Sequence, residues 1–125
     1  MASDAAFSYA TPASCETALA CLSGPVRAWF TSTYGVPTTA QRAAWPAVRD
    51  GQHLLLVAPT GTGKTLAAFA PIISALFNEP APGVRCLYVA PLKALARDAA
   101  KNLCRHLREI RRLHRHAPLD PSFLP

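Results

Sequence analysis

The feature that most restricts how this chain can fold is the loop Ala58-Pro59-Thr60-Gly61-Thr62-Gly63-Lys64-Thr65, here called the glycine loop. Backbone N–H groups can surround a phosphate only where bulky side chains are missing, and Gly61 and Gly63 meet that need. Lys64 would place its charge on the β- and γ-phosphates, and Thr65 would offer its hydroxyl to Mg²⁺. The usual pattern begins with glycine, whereas Ala58 stands there in this chain. The loop predicts a nucleoside triphosphate site.

The segments around the glycine loop predict an α/β fold. Residues 53–57 form a short apolar run and residues 84–90 a second one, and both are candidate buried strands. Helices are expected from Lys64 to about Phe77 and from Leu92 to about His114. Strand, helix, strand and helix at these lengths favour parallel strands with flanking helices and right-handed crossovers. The domain would be an incomplete P-loop NTPase domain.

The first half of the chain predicts three shorter helices. One is expected around residues 16–22, and a second begins at Ser23-Gly24-Pro25 and continues to about Thr33. Thr38 or Thr39 can cap a third, which continues to about Arg49. Pro46 and Pro71 lie inside predicted helices, where proline ordinarily kinks or loosens a turn.

Composition limits the class of protein. Half of the 125 residues are apolar and 16% are charged, which is typical of one small globular domain. No apolar run reaches the ~18–20 residues of a membrane-spanning helix, and the N-terminus lacks a basic region, so a cytoplasmic protein without a membrane partner is expected. The four cysteines have no CxxC spacing and predict reduced thiols. A zinc site from Cys104, His106, His114 and His116 is a disfavoured alternative, because these positions would spread around one helix.

Positive charge is concentrated at the end of the chain. Residues 92–125 hold eight Lys and Arg against three acids, whereas residues 1–91 hold five against four. The last predicted helix combines an apolar face with a basic face, and each pair of like charges four residues apart costs it about 0.2–0.5 kcal/mol. A track for nucleic-acid phosphates would explain the repetition, and a solvated basic face is the alternative. The apolar face consists of Leu92, Leu95, Ala99, Leu103, Leu107, Ile110 and Leu113, and the basic face of Lys93, Arg97, Lys101, Arg105, Arg108, Arg112 and Arg115.

Three segments together resemble superfamily 2 helicases of the DEAD/DEAH type. Residues 30–41, followed by Ala44-Trp45-Pro46 and Gly51, are similar to the Q motif. The glycine loop, including its alanine start, is similar to that superfamily's Walker A motif. Residues 89–96 look like motif Ia, in wording nearest to the large helicase-related (Lhr-like) and Ski2-like branches. The resemblance covers about residues 25–110 and implies the first RecA-like domain.

The resemblance assigns roles to further residues. Gln41 would read adenine through its amide, which makes ATP the implied nucleotide. An aromatic residue that stacks on the base would be expected near Gly24, which cannot stack, so Trp29 or Phe30 would substitute or belong to the core. Pro91, Lys93 and Arg97 would face the backbone of DNA or RNA. From Arg105 onward, the sequence favours neither nucleic acid nor solvent.

Carboxylates for ATP hydrolysis are missing from the sequence. None of the seven acidic residues is adjacent to another, so no DEAD or DExH box can be drawn and no catalytic residue is assigned. We therefore expect the N-terminal portion of a truncated helicase that is inactive alone. The expected divisions are an extension over 1–24, a partial ATP-binding domain over 25–117 and an irregular tail over 118–125. Alternatives are a different small P-loop enzyme, or a non-catalytic module that works with a partner chain, such as the rest of the helicase.

Overall fold

The computed structural model describes residues 7–114, and this part of the chain forms five helices. In chain order they are α1 (Cys15–Ala20), α2 (Gly24–Tyr34), α3 (Thr39–Arg49), α4 (Lys64–Asn78) and α5 (Lys93–Leu113). The five helices predicted from the sequence are confirmed, each within about two residues of its expected ends.

Local capping explains where the first three helices begin and end. The Ser14 hydroxyl accepts a hydrogen bond from the Thr17 N–H at 3.1 Å at the start of α1. Pro25 lies in the first turn of α2, which ends at Gly35 with a left-handed φ of 78°. A complete capping box, formed by Thr38 and Gln41, begins α3.

The core lies between α3 and α4, with α1 and α2 packed around them. Its largest fully buried side chains include Trp29, Phe30 and Trp45. The rings of Phe30 and Trp45 meet edge to face with their centroids 5.1 Å apart, a favourable geometry for aromatic pairs. These aromatic contacts join α2 to α3.

Part of the predicted N-terminal extension belongs to this core. Ala18 and Leu22 are buried against it, and α1 packs on α3. Ala13 also exchanges two hydrogen bonds with Arg42, one through its N–H at 3.1 Å and one through its carbonyl at 3.0 Å. The helical packing therefore begins before residue 25.

The two predicted strands are wrong for the described part of the chain. Residues 53–57 and 84–90 have no regular secondary structure, and neither segment pairs with a strand within residues 7–114. Leu55 is 86% exposed and Val57 is 84% exposed, so the apolar run before the glycine loop is not buried. A strand requires hydrogen bonds from another strand, and neither apolar run finds one there. The predicted parallel sheet is therefore not formed among these residues.

The long basic helix α5 is packed only over its second half. Ile110 is buried in the core and Leu103 and Leu107 pack against it, whereas Leu92 is 62% exposed. The ends of the predicted apolar face, at Leu92, Leu95 and Leu113, are exposed in the described part of the chain.

Several composition-based expectations can be compared with the structure. All four cysteines are free thiols, and no group of metal-binding side chains occurs among the described residues. His116 and Arg115, together with the tail predicted over 118–125, lie outside the described residues. None of the helices between residues 7 and 114 is long and apolar enough to span a membrane.

Candidate nucleotide site and nucleic-acid face

The glycine loop turns back on itself through two glycines in left-handed conformations. Gly61 has a φ of 82° and Gly63 a φ of 76°, values that side chains with a Cβ rarely adopt. The Thr62 hydroxyl donates to the Pro59 carbonyl across the turn at 2.7 Å. The backbone at both glycines therefore requires the residues that the sequence supplies.

Helix α4 begins directly at the end of the loop, with Gly63 as its N-cap. Its first hydrogen bond runs from the Ala67 N–H to the Gly63 carbonyl at 2.9 Å. The N–H groups of Lys64, Thr65 and Leu66 therefore have no partner inside the helix, and they carry the positive end of its dipole. The residues Lys64 and Thr65 are themselves exposed. This arrangement suits an anion, and a phosphate in particular.

Helix α3 holds the other side of the loop through three side chains, here called the α3 clasp: Thr38, Gln41 and Trp45. The Thr38 hydroxyl donates to the carbonyl of Thr62 at 2.8 Å. The Gln41 amide donates to the carbonyl of Gly63 at 3.2 Å, and the Trp45 indole N–H donates to the carbonyl of Leu66 at 3.1 Å. Because the clasp occupies carbonyl oxygens, it leaves the loop N–H groups available to a ligand.

The clasp also explains why residue 63 has to be a glycine on steric grounds. A Cβ at Gly63 would collide with the side-chain amide of Gln41, whereas a Cβ at Gly61 would meet open space. The two glycines therefore serve different purposes. Gly61 allows the left-handed backbone conformation, and Gly63 allows both that conformation and the close approach of the Gln41 side chain.

Gln41 is 3% exposed and is therefore not a solvated helix glutamine. Its oxygen accepts from the Thr38 N–H at 2.9 Å, while its nitrogen donates to Gly63. A primary amide has two N–H donors and an oxygen with two lone pairs. After both bonds, one donor and one lone pair remain, which is the pair of groups that the N7 and N6 positions of adenine require.

Trp29 and Phe30 do not supply the stacking aromatic face that was one option for them. Each is 1% exposed, and both belong to the core. The Trp29 indole N–H is also committed, because it donates to the Glu109 carboxylate at 3.0 Å. The core interpretation of these two residues is therefore the correct one.

The start of α5 carries the residues expected to face nucleic acid. Pro91, Lys93 and Arg97 are all exposed. Lys93 is the first residue of α5, whose first turn contains no acidic residue. A cation at this end is disfavoured by the helix dipole, and it adds to the positive potential there. No hydrogen bond or ion pair among residues 7–114 joins these three residues to the glycine loop.

The second half of α5 is fixed to α2 by one polar cluster. The rings of His106 and Trp29 lie 5.0 Å apart, and Glu109 accepts the hydrogen bond from Trp29. Burial, and then the nearby Arg105 guanidinium, lower the pKa of His106 below its ordinary value of 6.5, while Glu109 acts in the opposite direction. Neutral His106 is therefore the form that packs best here.

Comparison with known proteins gives the family. The profile of the DEAD/DEAH box helicases matches residues 38–118, which is more than half of the chain and includes the α3 clasp, the glycine loop and α5. The chain belongs to the DEAD/DEAH box helicase family. No solved structure matches it at a significant level.

Similar curated proteins are Lhr-type helicases. The chain is 48% identical over 101 residues to the Lhr helicase/probable uracil glycosylase of Mycolicibacterium smegmatis, covering 78% of this chain and 7% of that protein. It is 40% identical to the ATP-dependent helicase Lhr-Core of Saccharolobus solfataricus, covering 74% of this chain and 11% of that one. For Lhr-Core of Sulfolobus acidocaldarius the identity is 37%, with 82% and 12% covered. The chain therefore spans about a tenth of these relatives.

The sequence did not predict that Thr38 and Trp45 contact the glycine-loop region. Thr38 was expected as a helix cap within the Q-motif segment and Trp45 as part of the same motif, but neither was expected to donate hydrogen bonds to the loop and the start of α4. The signal was their spacing, because positions 38, 41 and 45 fall on one face of a helix. The sequence does not show that this face meets the glycine loop, since that depends on how α3 packs on α4.

Three carboxylates of the described part are bonded elsewhere or lie far from the glycine loop. Asp50 pairs with Arg49 at 3.3 Å, Glu109 accepts from Trp29, and Glu79 follows the far end of α4, roughly 22 Å along a helix of 15 residues. No acidic side chain within residues 7–114 forms a hydrogen bond with the glycine loop. Of the ligands that Mg²⁺ prefers, the loop itself offers the Thr65 hydroxyl.

Proposed function

We propose that this chain is the ATP-binding and nucleic-acid-binding portion of an ATP-dependent helicase, corresponding to the first part of a RecA-like domain. The observation that carries the proposal is the glycine loop, which α3 holds by its carbonyls while Lys64 and Thr65 remain exposed at the start of α4. The family membership supports the same activity. A cytoplasmic location is part of the proposal, supported by the four free cysteines.

The phosphates of ATP fit the groups that the loop presents. The N–H groups at the start of α4 would donate to them, Lys64 would neutralise their charge, and Thr65 would give its hydroxyl to the accompanying Mg²⁺. Mg²⁺ would neutralise charge on the phosphates when it is bound. The proposed ATP-binding residues are Gln41, Ala58, Pro59, Thr60, Gly61, Thr62, Gly63, Lys64 and Thr65.

Gln41 would connect recognition of the base to the phosphate loop. Its remaining donor and lone pair would bind the adenine edge, while its other two bonds hold Thr38 and Gly63. The same side chain would thus favour adenine and hold the loop in place. Guanine presents an acceptor in place of the adenine amino group, so it would leave one of these bonds unmade.

The nucleic-acid contact is proposed at Pro91, Lys93 and Arg97. All three are exposed at the beginning of α5, where the unpaired N–H groups of the helix add to the positive charge. Phosphate oxygens of DNA or RNA would accept hydrogen bonds from the N–H groups and would pair with the positive charges. Such contacts carry no sequence information.

The chain alone is proposed to bind ATP without hydrolysing it. Hydrolysis requires a carboxylate that holds Mg²⁺ and a group that positions water, and no two acids are adjacent in this sequence. Residues 53–57 and 84–90 expose several apolar side chains, which the strands of a complete sheet would bury. We propose that further helicase sequence, in the same chain or a partner chain, supplies both the strands and the carboxylates.

The first test is the affinity of the full chain for ATP with Mg²⁺, measured by titration calorimetry. Lys64→Ala should weaken binding at least tenfold, because it removes the charge that faces the phosphates. Lys101→Ala is the matched control, since it removes an exposed lysine from α5, and it should bind ATP like the wild type. Equal affinities for the wild type and Lys64→Ala would contradict the proposed site.

Two further measurements test the proposed adenine recognition by Gln41 and the proposed lack of ATP hydrolysis. Gln41→Ala should bring the affinities for ATP and GTP close together. An equal loss of affinity for both nucleotides would show that Gln41 holds the loop but does not recognise the base. Steady-state phosphate release should stay at background with and without nucleic acid. Turnover that disappears in Lys64→Ala would show that the chain hydrolyses ATP by itself.

A further inference from the structure

The basic face of α5 continues well beyond the residues proposed above to contact nucleic acid. At 3.6 residues per turn, its cationic side chains fall within about one third of the helix circumference and extend for about 28 Å. Every one of them is exposed. Within the described residues, they are Lys93, Arg97, Lys101, Arg105, Arg108, Arg111 and Arg112.

Acidic neighbours do not neutralise the far end of this face. Only two acids, Asp98 and Glu109, occur in α5. Glu109 accepts the Trp29 hydrogen bond and lies 4.0 Å from Arg105. Among residues 7–114, no salt bridge involves Arg108 or Arg112. Their charges are therefore available to an outside anion.

The two halves of α5 differ in how firmly they are held. Around Arg108, the residues Ile110 and His106 are buried and Trp29 bonds to Glu109, so this half is fixed to α2 and the core. At Lys93, the neighbouring Leu92 is largely exposed and the helix has little beneath it. Binding through groups on a fixed helix orders less of the protein, so it loses less affinity to conformational entropy.

The type of cation also changes along the helix. The first half carries Lys93, Arg97 and Lys101, whereas the second half carries arginines only. The planar guanidinium group can give two parallel hydrogen bonds to one phosphate, and it holds its charge at any ordinary pH. Arg112 lies in the last turn, where the helix dipole alone favours a cation. Arg108 lies one turn earlier, so the dipole does not explain the cation at that position.

We infer that Arg105, Arg108 and Arg112 form a second phosphate-contact site, which continues the nucleic-acid face along the anchored half of α5. The inference rests on the proposed nucleic-acid-binding function and extends its contact surface. The site binds the sugar–phosphate backbone without reading bases. At about 3.4 Å per base pair, the whole face of about 28 Å matches roughly eight base pairs of a duplex.

The test is the salt dependence of nucleic-acid binding by the full chain, measured by fluorescence anisotropy with labelled 20-nucleotide oligo(dT) and oligo(U). Each phosphate contact contributes about 0.7 to the slope of log affinity against log salt for a single strand. Arg108→Gln with Arg112→Gln should therefore lower the slope by about 1.4. Replacing both residues by lysine instead should restore most of the slope, because the charges return.

The matched control is Arg49→Gln with Arg85→Gln, which removes the same charge from exposed positions outside α5. A control that lowers the slope equally would show that only net charge matters, and it would overturn the inference. An unchanged slope in the Arg108 and Arg112 variant would also overturn it. If Lys93→Gln with Arg97→Gln then lowers the slope, the proposed function stands without the second site. Absence of salt-dependent binding by the wild type would contradict the nucleic-acid role itself.

Discussion

The two sides of the glycine loop are held in different ways. At the C-terminal end of the loop and the start of α4, the side chains of the α3 clasp donate three hydrogen bonds to the carbonyls of Thr62, Gly63 and Leu66. On the side that precedes it, Leu55 and Val57 are exposed and unpaired within the described residues. The same loop therefore joins a packed helical region to a largely exposed apolar segment that forms no strand pairing within residues 7–114.

The difference follows from where each element finds its hydrogen bonds. A helix satisfies most of its backbone groups within its own segment, and α3 and α4 then need only to pack against each other. An extended segment has no internal partners, so it depends on residues distant in the chain. The half of the loop that leads into α4 can therefore form from nearby helices, whereas the apolar run before the loop cannot be buried locally.

The largest effect expected within the glycine loop separates its two glycines. Gly63→Ala should lower the free energy of unfolding by about 3 kcal/mol, because it combines a left-handed backbone, which costs about 1–2 kcal/mol, with a collision against Gln41. Gly61→Ala should cost only about 1–2 kcal/mol, since its Cβ would meet open space. Urea unfolding of the full chain, followed by circular dichroism, measures both.

The comparison of these glycines also tests the α3 clasp. Gln41→Ala removes the atom that the Gly63 Cβ would meet, so the double variant should lose less than the sum of its two single variants. Additive losses would mean that Gln41 does not lie against the loop in solution. In that case, the contrast between the two sides of the loop would rest on the backbone alone.

Much of this molecule could be predicted from its sequence, and the reasons are local. Proline at the start of α2, the capping threonine of α3 and the glycines of the loop act within a few residues, so the helices and the permissive glycine backbone were predicted correctly. The burial of residues 53–57 was wrong, because an apolar run shows a tendency to be buried but does not contain its partner. The role of Trp45 was missed for a related reason, since its hydrogen bond to Leu66 exists only after α3 meets α4.

A smaller effect is expected at the anchored half of α5, which belongs to the packed region. The unfolded chain binds a proton at His106 near its ordinary pKa of 6.5, while burial and Arg105 lower that pKa in the folded chain. Stability from this group is therefore present above about pH 6.5 and is lost as the pH falls through the lowered pKa. Urea midpoints between pH 7.5 and 5.5 should decrease in the wild type and stay flatter in His106→Phe, which keeps a ring against Trp29. Identical profiles would show that His106 is not buried.

The smallest effect is expected in residues 53–57, the apolar run before the loop. A substitution there tests most directly whether this side of the loop is unpacked. Leu55→Ala removes an exposed side chain and should change the free energy of unfolding by less than about 0.5 kcal/mol. Leu66→Ala makes the same chemical change at a buried position in the first turn of α4, and it should cost about 2–5 kcal/mol. Equal costs would mean that residues 53–57 pack against another part of the chain in solution. That segment would then be a structural element of this chain in its own right, and the need for strands from further helicase sequence would disappear.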